Sequence, residues 1–235
     1  MKLHLYAIIL LLFTSQLSAQ VAHFDSLLKE NISNEGVVNY QGIIKNKHHL
    51  AHYIDYLKKT TPAKSWSDNA VKAFWINAYN AYTIKLITDH YPVKSIMDIR
   101  LKGKDAWHAP IATVGGKTLT LNEIEHEILR KNYKDPRIHV GVNCASFSCP
   151  PIANFAFTEK NIEATLEKLM VSFVNDPQRN NITEKKITLS KIFEWYQADF
   201  TQNGNLVSYI SKYSKTPISK KAKVRYLDYN WNLNE

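Results

Sequence analysis

The two cysteines of the chain, Cys144 and Cys149, share the stretch DPRIHVGVNCASFSCPPI, Asp135 to Ile152, with His139. A thiol near an imidazole can attack a carbonyl, because the thiolate is the nucleophile and needs a base or a cation to form. Two cysteines five residues apart in a loop could instead close a disulfide, if the turn is tight enough. Both chemistries are open from the residues alone. Every histidine precedes Cys144, so any Cys–His pair runs His first, an order that geometry permits. His139 is nearest in sequence. If Val140 to Val142 form a strand, however, the offset of five turns His139 and Cys144 to opposite faces. His126 lies eighteen residues upstream and can fold back across a helix end. Cys144 with His126 as base is therefore the favoured pair and His139 the second choice. Glu125, Asn77 or Asn80 would hold the imidazole. Backbone N–H groups around Ala145 would receive an oxyanion. Asn143, Ser146, Ser148 and Cys149 are the candidate substrate-facing residues of the loop.

The elements that must position these groups have their own signals. Ser67 to Asp89 reads as the longest helix, capped by Ser67 or Asp68, and AFWINAYNAYTIKLI is apolar nearly all round, as in a central buried helix. Asn77 and Asn80 share a face of it. Buried amides must be hydrogen-bonded, so they either brace a loop or orient a catalytic group. Thr120 to Glu123 is a capping box opening a helix with Leu121, Ile124 and Ile128 inward. Glu125 falls on that inward stripe, which calls for a partner such as Arg130 or Arg137. Gly115-Gly116 marks a hairpin. Helices are expected over His23–Glu30, His48–Lys59, Thr158–Val174, Ser190–Ala198 and Asn205–Ser211. A hairpin spans Glu184–Lys186, and Val224–Tyr229 is a closing strand. Long helices flank short strands without βαβ alternation. The class is therefore α+β, one domain with a long buried central helix and further helices on a small sheet; a thiol hydrolase of this class would suit an arrangement akin to a permuted papain or transglutaminase.

Lys2, the apolar run Leu5–Phe13 and the small residue Ala19 form a secretory signal peptide over 1–19, leaving a domain over 20–235 in a periplasmic or extracellular setting. The run is shorter than the about 20 residues that span a bilayer, and no later stretch qualifies, so no transmembrane segment is expected. The net charge of +9 clusters late, at Lys212, Lys215, Lys220, Lys221, Lys223 and Arg225. Such a face suits an anionic envelope polymer or is simply solvated, and no nucleic-acid motif accompanies it. No Walker, GxGxxG, HExxH or GxSxG pattern is present, and no cofactor is expected. A metal is not expected either. His48 and His52 lack an acidic or thiol third ligand, and Glu123-x-x-His126 lacks the carboxylates of a two-metal motif.

FWINAYNAY at Phe74–Tyr82, LNEIEHEILR at Leu121–Arg130, the cysteine stretch, and KIFEWYQADF at Lys191–Phe200 together resemble domain-of-unknown-function family 547. The resemblance runs from about Ser67 to Phe200. It implies that Asn77, Asn80, His126, His139, Asn143, Cys144 and Cys149 occupy motif positions, and it implies no particular reaction. Two functions remain. One is an exported thiol hydrolase or acyl transferase acting on an amide, ester or thioester of a small or peptide-like molecule. The other is a non-catalytic envelope-binding scaffold stapled by a Cys144–Cys149 disulfide.

Overall fold

The computed structural model describes residues 20–235, so the signal-peptide segment lies outside the described residues. Residues 20–31 form α1. Then follow α2 (Tyr40–Lys45), α3 (His48–Lys59) and α4 (Asp68–His90), a 3-10 turn (Ile96–Asp98), and the ribbon β1 (Arg100–Leu101) with β2 (Lys104–Asp105). The hairpin β3 (Ala112–Val114)–β4 (Lys117–Leu119) turns on Gly115 and Gly116, both at positive φ (55° and 76°), the backbone that a two-residue hairpin turn requires. A π-helical segment (Glu123–Arg130) runs into α5 (Lys131–Tyr133), and a second 3-10 turn (Pro136–Val140) leads to the cysteine loop. The chain ends with α6 (Ile162–Val174), β5 (Asn181–Ile182), β6 (Lys186–Leu189), α7 (Ile192–Trp195), α8 (Gln197–Phe200), α9 (Leu206–Tyr213) and β7 (Lys223–Tyr226). β5 and β6 pair antiparallel, and β7 joins β6 in parallel. The fold is α+β.

α4 is the axis. Ser67 caps it by accepting from the Ala70 N–H, and fourteen of its side chains are buried, so it presents no solvent stripe. One buried cluster runs from Phe24 on α1 to Leu233 near the C-terminus, with α4 contributing from Ala73 to Ile87. Burying a large aliphatic or aromatic side chain stabilises by about 1.5–3 kcal/mol, and α4 buries Phe74, Ile76, Ile84 and Leu86 among others.

Three local expectations change. Val140–Val142 is not a strand. Asp135 accepts from the Arg137 N–H and Pro136 occupies the first turn, so the chain enters a 3-10 helix that ends at Gly141. Gly141 packs so tightly on α4 and α6 that a Cβ would stand 3.0 Å from Leu166 and 3.1 Å from Ile76. The helix after Thr120 keeps its capping box, with Glu123 N–H to Thr120 Oγ1 at 3.0 Å and Thr120 N–H to Glu123 at 2.7 Å, but continues as a π-helix. Ile124 and Leu129 are then inward and Ile128 only half-buried. The helix from Ser190 breaks at Tyr196 (φ −108°, ψ 26°), which separates α7 from α8.

Candidate functional site

Four sets of hydrogen bonds hold the cysteine loop. From α4, Asn80 donates to the Gly141 carbonyl (2.9 Å) and accepts from the Asn143 N–H (2.9 Å). From within, Asn143 donates to the Pro150 carbonyl (2.9 Å) and accepts from the Ala145 N–H (2.9 Å), which fixes Ala145 at φ 57° immediately after Cys144. A left-handed non-glycine residue stores strain that the surrounding hydrogen bonds must hold. From the C-terminal tail, the Asn232 carbonyl accepts from the Phe147 N–H (2.7 Å), and Ser148 exchanges bonds with Asn230. Arg179 donates to the carbonyls of Phe147 and Cys149, both at 2.8 Å.

The half-buried Cys144 thiol sits in a triangle of polar atoms. Its Sγ is 3.1 Å from Ser146 Oγ and 3.3 Å from Tyr229 OH, and the two hydroxyls are 2.8 Å apart. The Cys144 N–H donates to Cys149 Sγ at 3.2 Å. The Cys149 thiol's hydrogen bond is the largest influence lowering the Cys144 pKa. Burial and the Glu125 charge oppose it, while Ser146 and Tyr229 add to it, and the net direction is down. Burial and the neighbouring Cys144 push Cys149 well up. The pair therefore ionises at Cys144.

Glu125, His126 and His139 line the same pocket as this thiol, of about 210 Å³, with aromatic walls from Trp107, Trp195, Tyr196, Tyr229 and Trp231. The π-helical segment supplies Glu125, His126 and Arg130; local π-helix is frequent at functional sites. Arg130 grips Asp199 with two donors (Nε 2.7 Å, Nη2 2.9 Å) and gives a third to His126 Nδ1 at 2.6 Å. Guanidinium only donates, so His126 Nδ1 carries no proton and the neutral ring has its N–H on Nε2. Burial, assisted by the Arg130 and His139 charges against Glu125 and Asp199, lowers the His126 pKa and favours that neutral ring. His139, buried, places Nε2 2.7 Å from Asp199 Oδ2 and stacks on Tyr196 with centroids 3.9 Å apart. Burial alone would raise Asp199, but the hydrogen bonds from His139 and Arg130 prevail and hold it well below the carboxylate range.

Cys144, His126, His139 and Glu125 therefore share one pocket, although neither imidazole hydrogen-bonds to the thiol. Several expected roles change. Glu125 pairs with neither Arg130 nor Arg137, which bind Asp199 and the Asp135–Glu163 cluster; it accepts from Tyr196 OH at 2.8 Å. Asn77 holds the Phe157 backbone in both directions (2.7 and 2.9 Å) and Asn80 holds the cysteine loop, so both take the bracing role expected of buried amides and neither hydrogen-bonds to an imidazole. The Ala145 N–H is occupied by Asn143 and does not point to an oxyanion. Asn143 and Cys149 serve the loop's own bonding, Ser148 ties it to Asn230 of the C-terminal tail, and Ser146 contacts the thiol itself. Both cysteines are free thiols in this structure, and hydrogen bonds pin the loop. His48 and His52 are exposed, and among the described residues no group of three His, Cys, Asp or Glu could hold a metal.

Tyr196, Asp199, Tyr229 and the tryptophans were not anticipated. Tyr196, Asp199 and Trp195 lie in KIFEWYQADF, where an acid three residues after a tyrosine was the available signal. Tyr229 carries no local signal, because its partner Cys144 lies 85 residues earlier. His108, also outside the quoted motifs, stands at the pocket rim.

No curated protein and no solved structure matches the chain. Residues 63–174 match the family described as "Protein of unknown function, DUF547", a span that carries the three motifs around Asn77, His126 and Cys144 but stops short of Lys191–Phe200. Through that segment, the chain belongs to the DUF547 family.

Proposed function

We propose that the protein is an exported cysteine-dependent hydrolase or acyl transferase with Cys144 as nucleophile. One observation carries this reading: a thiol bonded to two hydroxyls, at 3.1 and 3.3 Å, lines a pocket that a neutral imidazole also lines. Hydrogen bonds to a thiolate stabilise the charged form, so Cys144 needs no adjacent base to ionise. His126 then has a role different from that of a base. With Nδ1 filled by Arg130, it offers Nε2–H as a fixed donor to the carbonyl oxygen as negative charge develops there. In the acyl-transfer step an S–C bond forms, the bond from carbonyl carbon to the leaving atom breaks, and the thiol proton ends on the leaving group. The Ser146–Tyr229 hydroxyl pair provides a route for that proton. Water or an acceptor hydroxyl then forms a new bond to the carbonyl carbon, the C–S bond breaks, and its proton returns to sulfur. Export rests on the Lys2, Leu5–Phe13 and Ala19 pattern.

The test is acylation by 4-nitrophenyl acetate followed by intact mass. The reading expects one acetyl group on Cys144 in the wild type, none on Cys144→Ala, and acylation slowed about 100-fold in His126→Ala, the scale of losing an oxyanion donor. Equal acylation of the wild type and Cys144→Ala would overturn it.

A further inference from the structure

Glu125 is the group in the pocket that the chemistry above leaves unused. Its residue is 5% exposed, so its carboxylate is nearly removed from water. Such a carboxylate ordinarily has a cation against it, because desolvating an unpaired charge is costly. Among the described residues no lysine or arginine pairs with it, and its one ion-pair partner is the His139 ring, at long range. Arg130 is committed to Asp199 and His126, and Arg137 to Asp135 and Glu163. Among charged or titratable nitrogens the nearest, His139 Nδ1, stands 3.9 Å from Oε1, beyond hydrogen-bond reach, while its Nε2 serves Asp199. Oε1 takes the Tyr196 hydroxyl, and no donor is on Oε2.

The pocket that Glu125 lines has aromatic walls. Trp195 and Trp231 stack with centroids 5.8 Å apart, Tyr229 packs 4.7 Å from Trp195 and 4.5 Å from Trp231, and Trp107 meets Trp231 edge-on. Aromatic faces attract a cation through the ring quadrupole, most strongly where water is excluded. A buried acid whose only ion-pair partner is a histidine 3.9 Å away, lining the same pocket as several indole and phenol rings, is an arrangement suited to an ammonium group. The about 210 Å³ available is below the range of drug-sized sites, so the group is small.

We infer that Glu125 and the Trp107–Trp195–Trp231 cage bind a protonated primary amine of the substrate, so that the acyl group transferred to Cys144 is an aminoacyl group. This rests on the reading of Cys144 as the nucleophile and adds its specificity. Glu125 acts as the specificity residue and Trp195, at the exposed edge, as part of the lid of the cage.

The experiment compares the glycyl and propionyl esters of 4-nitrophenol, which differ by ammonium for methyl, and reads the ratio of their acylation rates on Cys144. Taking a ratio within each protein cancels the esters' different intrinsic reactivity. Glu125→Gln, which keeps an acceptor for Tyr196, is expected to lower the glycyl-to-propionyl ratio about tenfold relative to wild type. Trp195→Leu is expected to lower it by a smaller factor. An unchanged ratio in both variants would overturn the inference, including the case where Glu125→Gln slows both esters equally and so acts as a proton-transfer group. Binding is read separately by titrating tryptophan fluorescence of Cys144→Ala with ethylammonium chloride against sodium chloride. Saturation that Glu125→Gln abolishes supports the ammonium site even if no ester acylates Cys144, in which case the hydrolase reading fails alone. Acylation with no ethylammonium saturation overturns the ammonium site alone.

Discussion

Asp199 illustrates how a single residue can organise a site it does not line. Its two oxygens take both Arg130 donors and the His139 ring, and Arg130 in turn fixes the His126 tautomer. Asp199→Asn removes the charge that these groups share. It is expected to lower stability by about 2–4 kcal/mol, toward the low side of breaking a buried pair because the Asp199 side chain is partly exposed. Urea unfolding at pH 7 measures this. The pH dependence has a definite sign. A carboxylate whose folded pKa is depressed contributes stability above its unfolded value of about 3.9, and that contribution is lost as pH falls through the lower folded value. The wild-type advantage over Asp199→Asn is therefore full at neutral pH and shrinks in acid; an advantage that grows on acidification would contradict the assignment. At this scale the sequence was partly informative. Cys144, His126, His139 and Glu125 were found by type and spacing, and the pocket unites them. Their partners were not legible, because a residue's charge says that a partner is required but not which of several arginines folding supplies.

At the scale of elements, α4 and the cysteine loop behave as one unit through Asn80. Asn80→Leu would leave the Gly141 carbonyl and the Asn143 N–H without their partner in a buried place. Each lost partner costs about 1–3 kcal/mol, so destabilisation of about 2–6 kcal/mol is expected. Asn77→Leu should cost a similar amount through the Phe157 backbone yet leave Cys144 reactivity less affected, since Asn77 does not touch the loop. Comparable loss of Cys144 alkylation in both variants would show that global stability, and not the loop brace, governs the thiol. What could be read from sequence here was what local chemistry decides: the Ser67 cap, the Thr120–Glu123 capping box and the Gly115-Gly116 turn. The apolar run Val140–Val142 imitates a strand, while the Asp135-Pro136 helix start just before it was the better signal. The π-helical turn shares its cap with an α-helix, and a few residues of apolar pattern cannot separate the two periods.

Across the whole molecule, the site exceeds the family segment. Residues 63–174 contain Glu125, His126, His139 and Cys144, but Tyr196, Asp199, Tyr229 and Trp231 arrive from later in the chain, and the buried core runs on to Leu233. A fragment limited to 63–174 is expected to lack a cooperative thermal transition by circular dichroism; a sharp transition would contradict this account of the core. Among the described residues no helix is long and apolar enough to cross a membrane. The C-terminal tail contributes most directly through Tyr229, which reaches Cys144 across 85 residues of sequence. The central claim is that this contact helps to make Cys144 a nucleophile. The measurement that tests it most directly is the rate of Cys144 alkylation by iodoacetamide against pH, read by intact mass, in the wild type and in Tyr229→Phe. The wild-type midpoint is expected below the ordinary thiol value of about 8.5, and removing one hydrogen bond to the thiolate is expected to raise it by about one unit. A wild-type midpoint at or above 8.5 that Tyr229→Phe does not move would contradict the account.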